Sequence, residues 1–194
     1  MPYLVVPAIV PGSLAGSGQP WIRVRDSAVL GPWVLGDAAA VIRAFNDPEI
    51  QRCHVRRLDT EAEAQLLLTG WIAGWASETA CHWALVDEDT GALLGRVALT
   101  GFDLYDSKAG VGYWMVPEAR GRGMCTAALA AVSDWAFREG GFHRLALEHS
   151  TANPASCRVA EKARFTVEGV GRGAARHADG WHDMCLHGRL VNDS

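Results

Sequence analysis

The residues best suited to chemistry stand together in one stretch, Arg120-Gly121-Arg122-Gly123-Met124-Cys125-Thr126. An apolar run with strand character, residues 109–116, stops at Pro117 just before it, and a strongly helical run opens at Thr126. Glycines let the backbone bend so that consecutive amide N–H groups converge, while the helix start adds unpaired donors and the positive end of its dipole. A strand, a glycine loop and a helix in that order suit a phosphate. A nucleoside triphosphate loop would require a Lys-Ser/Thr pair after its last glycine, where Met124-Cys125 stand. A dinucleotide loop would require a third small residue at Thr126 and should open a series of βαβ units, whereas this loop lies in mid-chain.

A third kind of loop, Arg/Gln-x-x-Gly-x-Gly/Ala, is matched from Arg120 to Cys125 with a cysteine in the last place. It resembles the acetyl-CoA loop of the GNAT acetyltransferases. Downstream, Asn153-Pro154-Ala155-Ser156, then Glu161-Lys162-Ala163-Arg164-Phe165 and Glu168-Gly169, resemble the signature of the ribosomal-protein N-terminal acetyltransferase branch. Asp37 and Asn46-Asp47-Pro48-Glu49-Ile50 are similar to that branch's first helix and turn. The resemblance spans residues 30–190. It implies an α/β (α+β) GNAT fold: a splayed, mixed, mostly antiparallel sheet of about seven strands flanked by about four helices. The cofactor would enter between the strands read at 109–116 and 144–149.

The same resemblance implies direct transfer of acetyl from acetyl-CoA to a primary amine. A protein or peptide N-terminal α-amine is the favoured acceptor. A small amine such as an antibiotic or polyamine is the alternative, and a catalytically silent acyl-CoA-binding module is a third reading. The amides of Gly121, Arg122, Gly123, Met124, Cys125 and Thr126 would hold the pyrophosphate, with Arg120 and Arg122 adding charge. A backbone N–H near Met115 and Val116 would serve the oxyanion, Asn153 the pantetheine arm, and Ser156 the leaving thiolate. For Asn153 and Ser156 the competing role is to cap the helix that starts there. Relatives often carry a base as a Glu two residues before the Gly-Tyr pair, or as a Glu before the final strand. Those places hold Gly110 and, by ungapped counting, Ala175. Glu148, His149, Asp103 and His54 remain, Glu148 first because it lies on the strand beside the gap. An α-amine titrates at about 7.7–8 and is partly neutral near neutral pH, whereas a lysine amine at about 10.4 is almost wholly charged. The missing carboxylates therefore lean towards an α-amine.

The elements that must position these groups can be read around them. Asp37 is expected to cap a helix at 38–45, and the capping box Thr60-Glu61-Ala62-Glu63 opens another to 76, with Leu66, Leu67, Gly70, Trp71 and Gly74 on one side. By the resemblance these helices wall the acceptor site, with Trp71 and Trp75 as candidates and core packing as the competing role. Residues 21–26 and 28–35 read as extended, and strands are read at 82–87, 92–100, 109–116 and 144–149, with a closing hairpin of 165–170 and 181–190. Arg164 stands where the related motif has glycine, which predicts a strained left-handed residue.

Composition bounds the rest. Residues 1–20, with a Gly/Ser-rich stretch at 12–19, read as an arm or linker that packs on the domain or on the second subunit of a homodimer, with a flexible tail as the competing reading; residues 21–194 read as a single domain. Eighteen basic and 22 acidic residues give a net charge of −4, which argues against a nucleic-acid or anionic-membrane binder. The chain through Met115 carries 8 basic and 13 acidic residues, the remainder 10 and 9, so the half with the phosphate loop is the less acidic one. The apolar N-terminus is broken by Pro2, Pro7 and Pro11 and reads as neither signal peptide nor membrane span. Five widely spaced cysteines with no C-x-x-C pair suit a reduced, cytoplasmic protein. No metal is expected: alternation along a strand puts Cys185 and His187 on one face and His182 on the other.

Overall fold

The computed structural model describes residues 4–25, 27–53 and 57–193, so His54 lies outside the described residues. One sheet of eight strands organises them. β1 (Ile22–Arg25), β2 (Ala28–Pro32), β3 (Ala80–Asp87), β4 (Leu93–Asp103) and β5 (Lys108–Met115) are successive antiparallel neighbours. β6 (Arg144–Ser150) joins β5 in parallel, and β8 (Gly180–Leu190) and then β7 (Thr166–His177) follow antiparallel. The two extended segments read before the first helix pair with each other as β1 and β2 and join the sheet through β3, which makes eight strands where about seven were expected. The final hairpin is longer than expected, its first strand reaching His177 through two register shifts. β5 and β6 pair only from Lys108 to Val111 against Arg144 to Leu147. Beyond that point β5 stays with β4 and β6 stays with β8, and a gap opens between Gly112–Met115 on one side and Glu148–Ser150 on the other.

Alternation along the strands assigns each side chain to a face. Val97, Leu99, Val111, Leu145 and Leu147 join the larger core beneath α4 (Met124–Arg138) and α5 (Pro154–Lys162). Ala84 and Trp114 join a second core under α1 (Ala38–Phe45), α2 (Pro48–Cys53) and α3 (Glu61–Ala76). Arg96 pairs with both Ala84 and Trp114 and so shares that second face. Glu148 and Ser150 alternate with Leu147 and point the same way.

Three local expectations need correction. Five helices are present where about four were expected, the extra one being α2: Pro48 fits the first turn, where no N–H is needed, and Asp47 Oδ1 accepts the Ile50 N–H at 3.0 Å. Asp37 does not cap α1; its carboxylate accepts the N–H of Val34 at 2.9 Å and closes the turn before the helix. In α3 the capping box is present, Thr60 accepting from Glu63, but the buried residues are Ala64, Leu68, Trp71, Gly74 and Trp75. Leu66 and Gly70 face water. The helix is apolar almost all round, so periodicity could not choose its face; the close seat of Gly74 on Ala80, where a Cβ would meet atoms at 3.1 Å, fixes it.

Residues before β1 are tied to the domain by specific bonds. Ile9 and Leu14 are buried in the larger core, and Ile9 N–H donates to Leu104 O. The Glu78 carboxylate accepts the N–H groups of Gly12 at 2.6 Å, Leu14 at 2.8 Å and Ala15 at 3.0 Å. The bonds from Gly12 and Ala15 lead in holding this carboxyl below its ordinary range, against the opposing effect of burial. Because the folded value is lowered, the tie is complete above the ordinary carboxylate range and is lost as pH falls through the depressed value. Glu78→Ala is expected to cost about 2–4 kcal/mol at neutral pH, by stranding three amides. In urea titrations the gap between variant and wild type should close in acid; a gap independent of pH would show that the ionised carboxylate is not what matters.

Arg164 has φ +66, and α5 ends in a Schellman pattern, with Phe165 N–H on Ala160 O and Arg164 N–H on Glu161 O. Its guanidinium has no ion-pair or hydrogen-bond partner among the described residues, and it lies outside the β5–β6 gap. Arg164→Gly is expected to raise stability by about 1 kcal/mol, seen as a higher Tm, with no change in affinity for CoA. A lower Tm would mean that the arginine side chain stabilises this turn.

Candidate active site

A cavity of about 660 Å³ runs through the gap between β5 and β6 and reaches both faces of the sheet. On the α4/α5 side it is lined by Tyr113, Cys125, Ser156 and Val159, and on the other side by Ile50, Arg96, Trp114, Glu148 and Ser150. The glycine loop forms its rim. Gly121 and Gly123 have φ of +75 and +70, values at which a side chain is strained. No amide from Gly121 to Thr126 donates to an acceptor among the described residues, whereas Ala127 N–H already bonds Gly123 O. Six consecutive donors without partners at the start of a 15-residue helix form a ready anion cradle.

The two loop arginines, both expected to add charge, are placed differently from each other, Arg120 on the cavity wall and Arg122 away from it. Arg120 Nη2 meets Asp47 Oδ1 at 2.5 Å and its Nε donates to Met115 O at 3.1 Å, which ties the loop to the end of β5 and the start of α2. Burial alone would raise the Asp47 carboxyl, but Arg120 and the Ile50 N–H hold it below its ordinary value. Arg122 is exposed and does not line the cavity; its carbonyl accepts from Arg25. Cys125 and Met124 line the cavity, and burial pushes the Cys125 thiol up to about 12, so it is neutral and poorly suited to nucleophilic attack.

Met115 and Val116 separate. Val116 N–H donates to Leu94 O at 3.0 Å and is spent in the sheet. Hydrogen-bonded and non-bonded pairs alternate along an antiparallel ladder, so Met115, which faces Gly95 in the next pair, turns its N–H away from β4 towards the gap. Only Met115 can therefore serve as the oxyanion donor of the pair.

At the start of α5, Asn153 Oδ1 caps the helix by accepting Ser156 N–H at 3.1 Å, while its Nδ2, on the cavity wall, makes only a long contact of 4.0 Å to Cys53 Sγ. Ser156 Oγ lies 2.8 Å from Tyr113 Oη, and burial raises the phenol well above its ordinary value. Two hydroxyls in contact on the cavity wall are able to donate a proton to a group bound there. Tyr113 was not singled out in the sequence, although it is the tyrosine of the Gly-Tyr pair.

The candidate bases sort clearly. Asp103 accepts the N–H groups of Tyr105 and Asp106 and faces Lys108, bracing a turn outside the cavity. His149 lines the cavity, but its Nδ1 bonds Ser150 O at 2.8 Å and its Nε2 faces His187 Nε2 at 3.0 Å. Glu148 lines the cavity and is exposed. A further arrangement emerges on the same face. Ser150 Oγ lies 2.6 Å from His182 Nδ1, and His182 Nε2 lies 2.7 Å from Asp179 Oδ1. The hydrogen bond from His182 lowers the Asp179 carboxyl, so the carboxylate accepts and Nε2 carries the proton. Nδ1 is then free to accept from Ser150, whose oxygen also receives the Ala152 N–H at 3.1 Å. His182 faces Ala175 across the β7–β8 ladder, where the sequence comparison expected a carboxylate. Asp179 and His182 are neighbours in one turn, but the sequence does not reveal the chain because Ser150 meets His182 only through strand pairing. His177 stacks on His182 at 4.3 Å; contrary to the expectation that these side chains would be scattered, His177, Asp179 and His182 form one group and His149, Cys157 and His187 another, each with three potential ligand atoms within 4.8 Å of one another.

Trp71 and Trp75 do not line the cavity. Trp75 packs on Trp135 and donates to Ser17 O, whereas Trp71 stacks on His82 and lies under Arg96.

A mixed sheet parted at a parallel pair, with a glycine loop leading into a helix beside the gap, defines the GNAT fold. Residues 28–166 match the acetyltransferase (GNAT) domain, and the chain belongs to that family. It is 32% identical over 103 residues to a putative ribosomal N-acetyltransferase, YdaF, of Bacillus subtilis, covering 53% of this chain and 56% of that protein. It is 26% identical over 100 residues to the ribosomal-protein-serine acetyltransferase of Escherichia coli, covering 52% and 56%. These alignments span about half the length of either relative. A ribosomal L7/L12 α-N-protein acetyltransferase solved in complex with coenzyme A superposes with a TM-score of 0.84 at 20% identity, over 90% of this chain and all of that one.

Proposed function

We propose that this chain transfers acetyl from acetyl-CoA to an α-amine, with the N-terminus of a protein or peptide as acceptor. The observation that carries the reading is the row of six unpartnered amides from Gly121 to Thr126 at the mouth of a gap that crosses the sheet. Those amides hold the pyrophosphate, and Asn153 offers its amide group to the pantetheine arm. Acetyl-CoA supplies an activated thioester. Met115 N–H stabilises the carbonyl oxygen as charge develops there. Ser156, backed by Tyr113, gives a proton to the departing sulfur. On the opposite face Ser150 accepts a proton from the attacking amine as it passes its own to His182, and Asp179 stabilises the imidazolium. Glu148, exposed at the same wall, supplements this chain rather than replacing it.

The acceptor choice draws on relatives named for ribosomal-protein acetylation and on the absence of a carboxylate at Gly110 and Ala175. All five cysteines are free, and no helix among the described residues is long and apolar enough to cross a membrane; both facts suit a cytoplasmic enzyme. Free thiol should appear when the protein is mixed with acetyl-CoA and a short peptide bearing a free N-terminus. The same peptide with a blocked N-terminus and an internal lysine should release none. Thiol release confined to the lysine, or none with any amine, would end this reading.

A further inference from the structure

Arg96 is the most unusual charge in the molecule. It is 8% exposed, on the central strand β4, and among the described residues it has no carboxylate partner. Its Nη2 and Nε lie 2.6 and 3.3 Å from a single atom, His82 Nδ1, and its guanidinium lies 4.6 Å from the Trp71 ring centre. His82 cannot neutralise it. Burial, and then the Arg96 charge itself, pushes the imidazole down to about 3, so the ring is neutral and offers only a lone pair. Burial lowers Arg96 to about 10, which leaves it protonated at neutral pH. Nη1 has no hydrogen bond among the described residues, and Arg96 is part of the cavity wall. A buried cation without a counter-charge is costly unless something arrives to pair with it.

The position says what arrives. Arg96 faces Trp114 across the β4–β5 ladder, one strand spacing of about 4.8 Å, and Trp114 is the residue before Met115. It lies on the face of the sheet that carries Glu148 and Ser150, opposite the wall formed by Ser156 and the glycine loop. We propose that Arg96 receives a carboxylate of the acceptor, so that the substrate is an amine with an acidic group close to the reacting nitrogen. The positive charge also favours the neutral form of that amine and repels a polyamine. Planar, forked donors suit a carboxylate better than any neutral side chain.

This inference rests on the acetyl-transfer reading for the direction of the acceptor, and the test separates the two. The CoA-loaded protein is titrated calorimetrically with peptides identical except for a first residue of Asp, Glu, Asn or Gln, with free glutamate and with spermidine; thiol release is followed on the same set with acetyl-CoA. Acidic peptides are expected to bind about 10- to 100-fold more tightly than their amides, with spermidine weakest. Arg96→Gln should erase the difference. Glutamate binding as well as the acidic peptides would place the recognised carboxylate on a free amino acid rather than a protein end. Equal affinity for Asp and Asn peptides in the wild type, or no binding by either, would overturn the inference even if Arg96→Gln failed to fold. Turnover without acidic preference sinks this inference and leaves acetyl transfer standing. Arg96-dependent binding without thiol release does the reverse.

Discussion

Gly123→Val is expected to abolish measurable CoA binding while the sheet remains folded. Gly123 ends the loop at φ +70 and stands immediately before α4. A β-branched residue is a genuine outlier at that φ and would pull the loop towards extended backbone, scattering the donors on either side. Its Cβ would lie 3.8 Å from the Arg25 guanidinium, an ordinary contact, so packing is not the difficulty. The loss therefore falls on the geometry of the amides. Several charge-assisted bonds act at once, and losing two or three of them at about 1.5 kcal/mol each weakens binding by about 10²- to 10³-fold or more. Gly123→Ala should show a smaller loss in the same direction. Calorimetric titration of a folded Gly123→Val protein with unchanged affinity would remove the anion cradle from the account.

The second large effect is expected at His182. His182→Ala breaks the link between Ser150 and Asp179 and should lower turnover by about 10²- to 10³-fold, the range of a proton-transfer group, with little change in CoA affinity. The loss should depend on pH in a definite direction. An α-amine becomes neutral without help above about pH 8, so the deficit should shrink as pH rises through that value. A role confined to holding the β7–β8 hairpin would instead lower activity equally at every pH. Glu148→Gln serves as the contrast and should cost only a few-fold. If Glu148→Gln carried the large, pH-dependent loss and His182→Ala did not, the base would be Glu148, as the sequence first suggested.

Much of the frame was legible because it is written locally. The glycine loop announces its own donors, since Gly121 and Gly123 both take the left-handed conformation their type permits. The capping box at Thr60 starts α3 as expected, and Arg164 adopts the positive φ that its place after α5 demands. The face of α3 was not legible, because a helix apolar on all sides is oriented by the partner it meets, here Ala80 against Gly74. Arg120 was read as a phosphate ligand because its type and place fit one, but the Asp47 that engages it is 73 residues away. The same limit hid the proposed base. Ser150 and His182 are 32 residues apart and become neighbours only once β6 and β8 pair in register. Arg96 could be recognised as unusual only once its burial and the absence of a carboxylate beside it were visible.

A crystal structure of the protein soaked with CoA tests the amide cradle and the gap together. The pyrophosphate is expected on the amides of Gly121 to Thr126 and the pantetheine arm passing Asn153 into the β5–β6 gap. The sulfur is expected within hydrogen-bond reach of Ser156 or Tyr113, with Ser150 and Arg96 facing it from the other side of the sheet. CoA bound elsewhere, or lying in the gap with its sulfur directed away from Ser156 and Met115, would contradict this placement.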